Sequence, residues 1–143
     1  MLRVAHLLAR KGGGVWSVDA EQPVLAAIQM MADHHCGALP VTRQGTLVGM
    51  VSERDYARKV ILLGRSSAET AVWQIMSSPV VTVTPEEGAR HCMEVMTERR
   101  IRHLPVVDAT GAMVGMISIG DLVRAVIEEQ TETIEHLERF IRG

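Results

Sequence analysis

"GMVSERD" spans residues 49–55 and "GMISIGD" spans residues 115–121, so one seven-residue phrase occurs twice in this chain. Each copy runs glycine, methionine, a β-branched apolar residue and serine, and it ends on an aspartate three positions after the serine. A phrase repeated at a distance is the mark of an internal duplication. A duplication governs how the whole chain folds.

The duplication extends to both sides of the phrase. The Leu-Pro-Val of residues 39–41 recurs at residues 104–106, and Arg58 recurs as Arg124. Within each copy, β-branched runs and helical periodicity follow the order strand, helix, strand, strand, helix. Units of this size rarely bury their apolar faces alone, so the two copies should pack together. The sequence therefore predicts an α/β (α+β) fold of two β-α-β-β-α repeats with pseudo-twofold symmetry, followed by a carboxyl-terminal helix.

The boundaries of the copies follow from where the matches stop. We expect repeat 1 at about residues 1–62, a linker at about 63–76 and repeat 2 at about 77–128, with a helical extension over 129–143. Repeat 2 should open with a short strand in the β-branched run VVTV of residues 80–83. The whole chain then forms a single module.

Composition narrows the classes of function. The chain has 143 residues, of which 47% are hydrophobic, and this suits one domain. A formal net charge of -2 offers no basic field for a nucleic-acid backbone, and aromatic residues at 3% offer few stacking platforms for single strands. No stretch approaches the about 18 uninterrupted apolar residues of a membrane helix. We therefore expect no nucleic-acid or membrane partner, and a cytoplasmic location.

Patterns for catalysis and metal binding are weak. No recognisable set of nucleophile, base and orienting residue occurs, so we expect no enzyme activity and no catalytic cofactor. His34, His35 and Cys36 are consecutive, so a helix would direct them to different sides and we expect no metal site. Two cysteines are too few for a disulfide framework, and both are expected to be reduced thiols.

The repeat, its Leu-Pro-Val strand and its glycine–serine–aspartate phrase together make the chain resemble the CBS domain, which is named after cystathionine β-synthase. Two such domains in tandem form a Bateman module. The resemblance covers roughly residues 15–128. The stretches SERDYARKVILLGRSS (52–67) and RRIRHLPV (99–106) are similar to small stand-alone bacterial CBS-pair proteins.

The resemblance implies a regulatory module for signal transduction. CBS pairs bind adenosyl compounds such as AMP, ADP, ATP, S-adenosylmethionine or NAD(H) in the groove between the repeats, and they act on a partner protein. In the family pattern, the serine of the phrase bonds ligand oxygens near the phosphate, and the aspartate bonds the ribose hydroxyls. This implies one site at Ser52 and Asp55, the first motif, and another at Ser118 and Asp121, the second motif.

Further ligand-binding residues follow from the same resemblance. The positions just before each Leu-Pro-Val line the groove beside the motif of the opposite repeat, where a guanidinium could hold a phosphate with two hydrogen bonds. A solvated helix end explains Arg102 equally well, and that alternative stays open. The resemblance places Arg102, His103 and Arg54 beside the first motif, Gly37 and Ala38 beside the second motif, and Val18 or Val81 around the adenine.

The phrase has a physical role with or without a ligand. A helix start leaves backbone N–H groups unpaired and attracts phosphate, and a carboxylate accepts hydrogen bonds from two ribose hydroxyls. The same Ser-x-x-Asp spacing is that of a capping box, in which the two residues satisfy each other's backbone N–H groups, or else the aspartate alone is the N-cap. The two roles are compatible. A chain that used only the cap would be a protein-interaction scaffold with no functional ligand site.

The carboxyl-terminal extension carries a mostly apolar stripe. Its members recur at steps of four and three, which is typical of the a and d positions of a coiled coil, and charged residues lie off it. The stripe either folds back on its own module or contacts a second copy. Because it runs beyond the repeat, we expect a homodimer. The members are Val123, Ile127, Gln130, Ile134, Leu137 and Ile141.

Overall fold

The duplicated sequence folds as two units, each with one copy of the repeat. The computed structural model describes residues 2–12 and 14–142. Contacts group residues 14–81 as the first unit, and they group Met1–Gly13 with Thr82–Gly143 as the second unit. Helix α1 (Val4–Lys11) precedes both copies. The mixed architecture of helices and strands with a carboxyl-terminal helix, predicted from the sequence, is confirmed.

The first unit is built on a three-stranded sheet. Its elements are β1 (Val18–Asp19), α2 (Val24–His34), β2 (Ala38–Arg43), β3 (Thr46–Ser52), α3 (Glu53–Tyr56), a π-helical turn (Ala57–Ile61) and a 3-10 turn (Val72–Gln74). The strand order is β1-β2-β3, with β1 parallel and β3 antiparallel to β2. Gln44 and Gly45 join β2 to β3 with φ angles of 50° and 79°. Positive φ at both central residues is what a type I′ hairpin turn requires.

The second unit repeats this arrangement, except that a single β-bridge takes the place of the opening strand. Its elements after α1 are α4 (Ala89–Arg99), β4 (His103–Val107), β5 (Met113–Ser118) and α5 (Ile119–Arg142). Strands β4 and β5 pair as an antiparallel hairpin. Of the strand predicted at residues 80–83, the structure shows one parallel bridge, between Val83 and Val106. The chain turns away directly afterwards, because the Thr84 N–H bonds the Glu87 carboxylate at 2.5 Å and the following proline has no N–H to offer a neighbouring strand.

Helix α1 packs on the second unit, although the boundaries expected from the sequence placed the amino terminus in repeat 1. Its first turn donates the Val4 N–H to the Glu87 carbonyl and the Ala5 N–H to the Pro85 carbonyl, both at 2.9 Å. The side chains of Val4 and Leu7 are buried. Burying an aliphatic side chain stabilises by about 1.5–3 kcal/mol, which accounts for the docking of so short a helix.

Equivalent positions of the repeat play equivalent roles in the two units. Leu39 and Leu104 are both fully buried in the cores. Helices α2 and α4 end alike, because His35 and Arg100 follow them with φ angles of 52° and 55°. The left-handed region costs a residue with a Cβ about 1–2 kcal/mol. Its use at the same place in both copies shows that the backbone is duplicated along with the sequence.

Helix α5 leaves the core after its first two turns. Leu122 and Ala125 are buried, whereas residues 127–142 are exposed throughout. The apolar stripe beyond residue 126 is therefore available to another molecule. Within residues 2–12 and 14–142, no helix combines the length and the hydropathy needed to cross a membrane.

One glycine in each hairpin is required by a close neighbour. A Cβ on Gly49 would lie 2.5 Å from Met76 Sδ and 3.0 Å from the Ser77 carbonyl oxygen. A Cβ on Gly115 would lie 2.5 Å from Leu8 Cδ2. The end of a leucine side chain can rotate away, but a paired backbone carbonyl cannot.

We expect Gly49→Ala to lower the free energy of unfolding by about 2 kcal/mol, and Gly115→Ala by about 1 kcal/mol or less. Overpacking against a fixed backbone forces a larger shift than overpacking against a mobile side-chain end. Chemical denaturation of the two variants measures the difference. A larger loss in Gly115→Ala than in Gly49→Ala would contradict this packing.

Candidate functional site

The first motif is a capping box at the start of α3. Ser52 ends β3, and its Oγ accepts the Asp55 N–H at 3.1 Å. In return, Asp55 Oδ2 accepts the Ser52 N–H at 2.9 Å and the Ser52 hydroxyl at 3.0 Å. These bonds satisfy two backbone N–H groups that a helix start otherwise leaves unpaired.

The second motif forms the same box at the start of α5. Asp121 Oδ2 accepts the Ser118 N–H at 2.8 Å, and Ser118 Oγ accepts the Asp121 N–H at 3.1 Å. The aspartate side chains are 14% exposed in the first motif and 11% in the second. The capping-box interpretation is thus confirmed for both copies, and a ligand role for the same residues stays a prediction.

Each aspartate also pairs with cationic side chains, one for Asp55 and two for Asp121. In the first motif, Lys59 Nζ lies 3.3 Å from Asp55 Oδ1, and it also donates to the Ile75 carbonyl at 2.9 Å. In the second motif, the aspartate accepts from Arg124 at 2.6 Å on Oδ1 and from Lys11 at 2.9 Å on Oδ2. The second carboxylate is therefore held by two charge-assisted hydrogen bonds, which are the stronger kind.

The two lysines are absent from the residues predicted for the site. Lys59 stands four positions after Asp55, and that helical spacing is a signal by which it could have been found. Lys11 lies 110 residues from Asp121, outside the repeat. No local pattern relates the two residues, so the sequence offered no signal for this contact.

The residues before each Leu-Pro-Val lie beside the motif of their own repeat. Ala38 pairs with Ser52 in the β2–β3 register, and the Gly37 carbonyl accepts the N–H of Glu53 at 3.0 Å. The second unit repeats both contacts: His103 pairs with Ser118, and the Arg102 carbonyl accepts the Ile119 N–H at 2.9 Å. The pairing of these residues with the motif of the opposite repeat stays a prediction.

Exposure limits what the other predicted residues can offer a ligand. Arg54 and Arg102 are exposed, so their guanidinium groups are accessible to an anion. Val81 is half-buried. Val18 and Ala38 are buried in the core, so main-chain atoms are what these two positions can present.

The charge of Lys11 lowers the pKa of two groups at the second motif, the Asp121 carboxyl and the His103 imidazole. Burial raises the pKa of Asp121, but the hydrogen bonds from Ser118 and Lys11, with the charge of Lys11, outweigh burial and hold the pKa below its usual value. Burial and then the charge of Lys11 lower the pKa of His103, and Arg102 adds to this against the opposing pull of Asp121. His103 is therefore neutral near pH 7, and it can offer a ligand a hydrogen bond but no positive charge.

We expect His103 to make the fold less stable as the pH falls from about 7.5 to 5.5. Because its pKa is lower in the folded chain than in the unfolded chain, the unfolded chain binds more protons below about pH 6.5, and acid favours unfolding. The low pKa of Asp121 acts only below about pH 4, outside this window.

Chemical denaturation at the two pH values measures this effect. His103→Gln should lose less stability than the unmodified chain on acidification. The exposed His136 supplies the control, because His136→Gln should behave as the unmodified chain does. Equal losses in the unmodified chain and in His103→Gln would contradict the expectation.

Among the histidines and cysteines that the sequence patterns brought up for metal binding and disulfides, His34 and Cys92 both have structural environments. Within residues 2–12 and 14–142, no group of three or more histidine, cysteine, aspartate or glutamate side chains is placed to hold a metal ion. Burial, together with the charge of Glu87, raises the pKa of the Cys92 thiol to about 11. A thiol of that pKa is protonated and unreactive at neutral pH. His34 stacks on Trp16 with ring centroids 3.8 Å apart.

The chain matches known proteins over most of its length. The family model of the CBS domain matches residues 13–61 and 72–128. The mitochondrial CBS domain-containing protein CBSX3 of Arabidopsis thaliana is 43% identical over 137 residues, which cover 92% of this chain and 66% of the plant protein. The crystal structure of the CBS-domain containing protein ATU1752 from Agrobacterium tumefaciens has a TM-score of 0.81 and 35% identity, and the match covers 86% of this chain and 98% of that one.

Two more distant solved structures share the fold and contain ligands. CBSX2 in complex with AMP has 24% identity and a TM-score of 0.73, covering 91% of this chain and 99% of that one. The CBS domain pair of protein MJ0100, in complex with 5′-methylthioadenosine and S-adenosyl-L-methionine, has 22% identity and a TM-score of 0.79, covering 90% and 98%. At these identities the likeness concerns the fold. Because the two segments matched by the family model coincide with the two copies of the repeat, this chain belongs to the CBS domain family and carries two CBS domains in tandem.

Proposed function

We propose that this chain is a regulatory module that binds an adenosine nucleotide at its Ser-x-x-Asp motifs and signals the bound state to a partner protein. The ligand class is AMP, ADP, ATP or NAD(H). The observation that carries the proposal is the same in both copies. A serine and an aspartate are held together at a helix start, and the aspartate side chain is 14% exposed in the first motif and 11% exposed in the second.

The geometry of the first motif suits a ribose diol and a nearby phosphate. An ionised carboxylate only accepts hydrogen bonds, so it complements two hydroxyl donors. The contact from Asp55 Oδ1 to Lys59 is 3.3 Å, longer than the about 2.7–2.9 Å of a strong charge-assisted hydrogen bond. A ribose diol can therefore replace Lys59 as the partner of this oxygen at a small cost in free energy. The exposed Arg54 would add positive charge near the phosphate.

The solved CBS pairs support the adenosyl class of ligand. One of them holds AMP, and another holds 5′-methylthioadenosine and S-adenosyl-L-methionine. Their identities to this chain of 24% and 22% support the fold and not a particular nucleotide. The proposal gives the chain no catalytic role, and any effect on metabolism would pass through the partner.

The competing function is a protein-interaction scaffold without a ligand site. Its supporting observation is that both capping boxes are complete in the chain alone, since each serine and aspartate already satisfy each other. Under this alternative, the phrase was duplicated for its effect on stability.

We also propose that the stripe on α5 binds a second copy of this chain. Isoleucine recurs at positions 127, 134 and 141, and these side chains are 57%, 56% and 82% exposed. Isoleucine at one heptad position, with mainly Val and Leu at the other, is typical of coiled coils. Pairing the stripe with itself would remove this apolar surface from water.

Thermal unfolding with and without nucleotide tests the binding function. A nucleotide at about 100 times its dissociation constant should stabilise the fold by roughly 2.7 kcal/mol. AMP, ADP, ATP, NAD and NADH would be compared with adenosine, which has the ribose but no phosphate. A raised melting temperature with at least one of the five, greater than with adenosine, supports the proposal. No shift with any of them favours the scaffold.

A further inference from the structure

Helix α1 reaches the second motif through its last residue. Lys11 Nζ donates to Asp121 Oδ2 and to the Met116 carbonyl, both at 2.9 Å. The lysine side chain is 44% exposed and the aspartate side chain 11%, and the ammonium is one of the groups that cover this carboxylate. Leu8, one turn earlier, packs over Gly115 on the same hairpin.

In the first copy, the equivalent carbonyl is paired without a lysine from outside the repeat. The carbonyl of Met50, the counterpart of Met116, accepts the backbone N–H of Ser77 at 2.8 Å. Lys11 therefore stands where the first copy uses a backbone amide, and it also reaches the aspartate. The amide of Ser77 serves the sheet edge only, whereas Lys11 links the sheet edge, the motif and α1.

The carboxylate of the second motif has little capacity left for a ligand. A carboxylate offers about four acceptor positions. In the second motif the Ser118 N–H, Lys11 and Arg124 occupy three of them, and two of the three donors are cations. In the first motif two of the donors belong to the adjacent serine, and the cation is an ion pair at 3.3 Å.

From this asymmetry we propose that Lys11 determines the specificity of the second motif by competing with a ribose diol for Asp121. This inference rests on the proposed nucleotide binding. A nucleotide then binds preferentially at the first motif, and one that binds at the second must displace the lysine. Displacement of Lys11 frees the last turn of α1. The first turn stays in place, since the backbone bonds of Val4 and Ala5 still hold it.

The test is a calorimetric titration with AMP in an Asp55→Ala background, so that the remaining binding reports the second motif. Lys11→Met removes the charge and keeps the apolar stem. We expect it to tighten AMP binding roughly fivefold, the equivalent of one partly exposed ion pair. Arg10→Met is the matched control, because it removes a neighbouring cation that pairs with Glu128 and not with the motif. It should leave the affinity unchanged.

A second ligand identifies the group that competes. With 2′,3′-dideoxy-AMP, which has no ribose diol, Lys11→Met should give no gain. In the unmodified chain, AMP should also speed hydrogen exchange at the Gly12 amide, which bonds the Leu8 carbonyl at 3.1 Å.

The possible results distinguish a failure of the competition by Lys11 from a failure of the proposed nucleotide binding. Weaker AMP binding in Lys11→Met would make the lysine a phosphate ligand and overturn the competition. An unchanged affinity, or an equal gain with the dideoxy analogue, would also overturn it. Absence of binding by AMP and the other four nucleotides to the unmodified chain would instead overturn the proposed function, and the competition with it.

Discussion

Replacing Ile134 with aspartate is expected to convert a dimer of this chain into a monomer. Ile134 is 56% exposed in the single chain and lies in the middle of the α5 stripe. In a symmetric coiled coil, each copy would lose the burial of the isoleucine surface that is exposed in the single chain, worth about 1–2 kcal/mol, and would place a carboxylate at the interface. Two copies together lose at least about 2–4 kcal/mol, which weakens association by more than about thirtyfold. Light scattering across a concentration series measures the dissociation.

A control for this substitution stands two residues away. His136→Asp puts the same charge on the same exposed helix, but off the stripe. It should leave the dimer intact, and neither variant should change the unfolding of the rest of the chain. A full-length unmodified chain that is monomeric at tens of micromolar, roughly the concentration of such a measurement, would contradict the dimer. Equal dissociation in both variants would contradict the role of the stripe.

Asp55→Ala is expected to weaken nucleotide binding at the first motif by about tenfold to a hundredfold. Hydrogen bonds to a charged group contribute about 1.5–3 kcal/mol, and the ribose diol would lose its acceptor. The same change removes one side of the capping box, so the free energy of unfolding should fall by about 0.5–2 kcal/mol. Calorimetric titration and chemical denaturation measure the two effects separately.

Two further variants separate capping from binding. Asp55→Asn keeps an oxygen that can accept the Ser52 N–H, so it should retain more of the stability and still lose much of the affinity. Asp33→Ala removes an exposed carboxylate from α2, where its bond is to Gln29, and should leave the affinity unchanged. Lower stability in Asp55→Ala with unchanged nucleotide affinity would mean that the motif is only a cap.

The sequence predicted those features of the site that depend on nearby residues. Ser52 and Asp55 are three positions apart, and so are Ser118 and Asp121. A reciprocal cap needs only that spacing and a helix after it. The two copies could be aligned residue by residue, so finding one box amounted to finding both.

Features that depend on packing between distant segments could not be predicted in this way. The docking of α1 on the second unit rests on the burial of Val4 and Leu7, and their short apolar pattern does not say which surface covers them. Lys11 reaches Asp121 only because that docking directs the end of α1 to the motif. Burial and the charge of Lys11 keep His103 neutral, and neither effect is visible in its place in the sequence.

The most direct test of the central claim compares the unmodified chain with the double variant Asp55→Ala/Asp121→Ala in calorimetric titrations. AMP, ADP, ATP, NAD and NADH would each be titrated into both proteins, and unfolding curves would verify that the double variant is folded. We predict saturable binding of at least one nucleotide to the unmodified chain, and binding weakened at least about tenfold in the folded double variant. Equal affinities in the two proteins, or no binding of any nucleotide to the unmodified chain, would contradict the claim that the duplicated phrase is a nucleotide site.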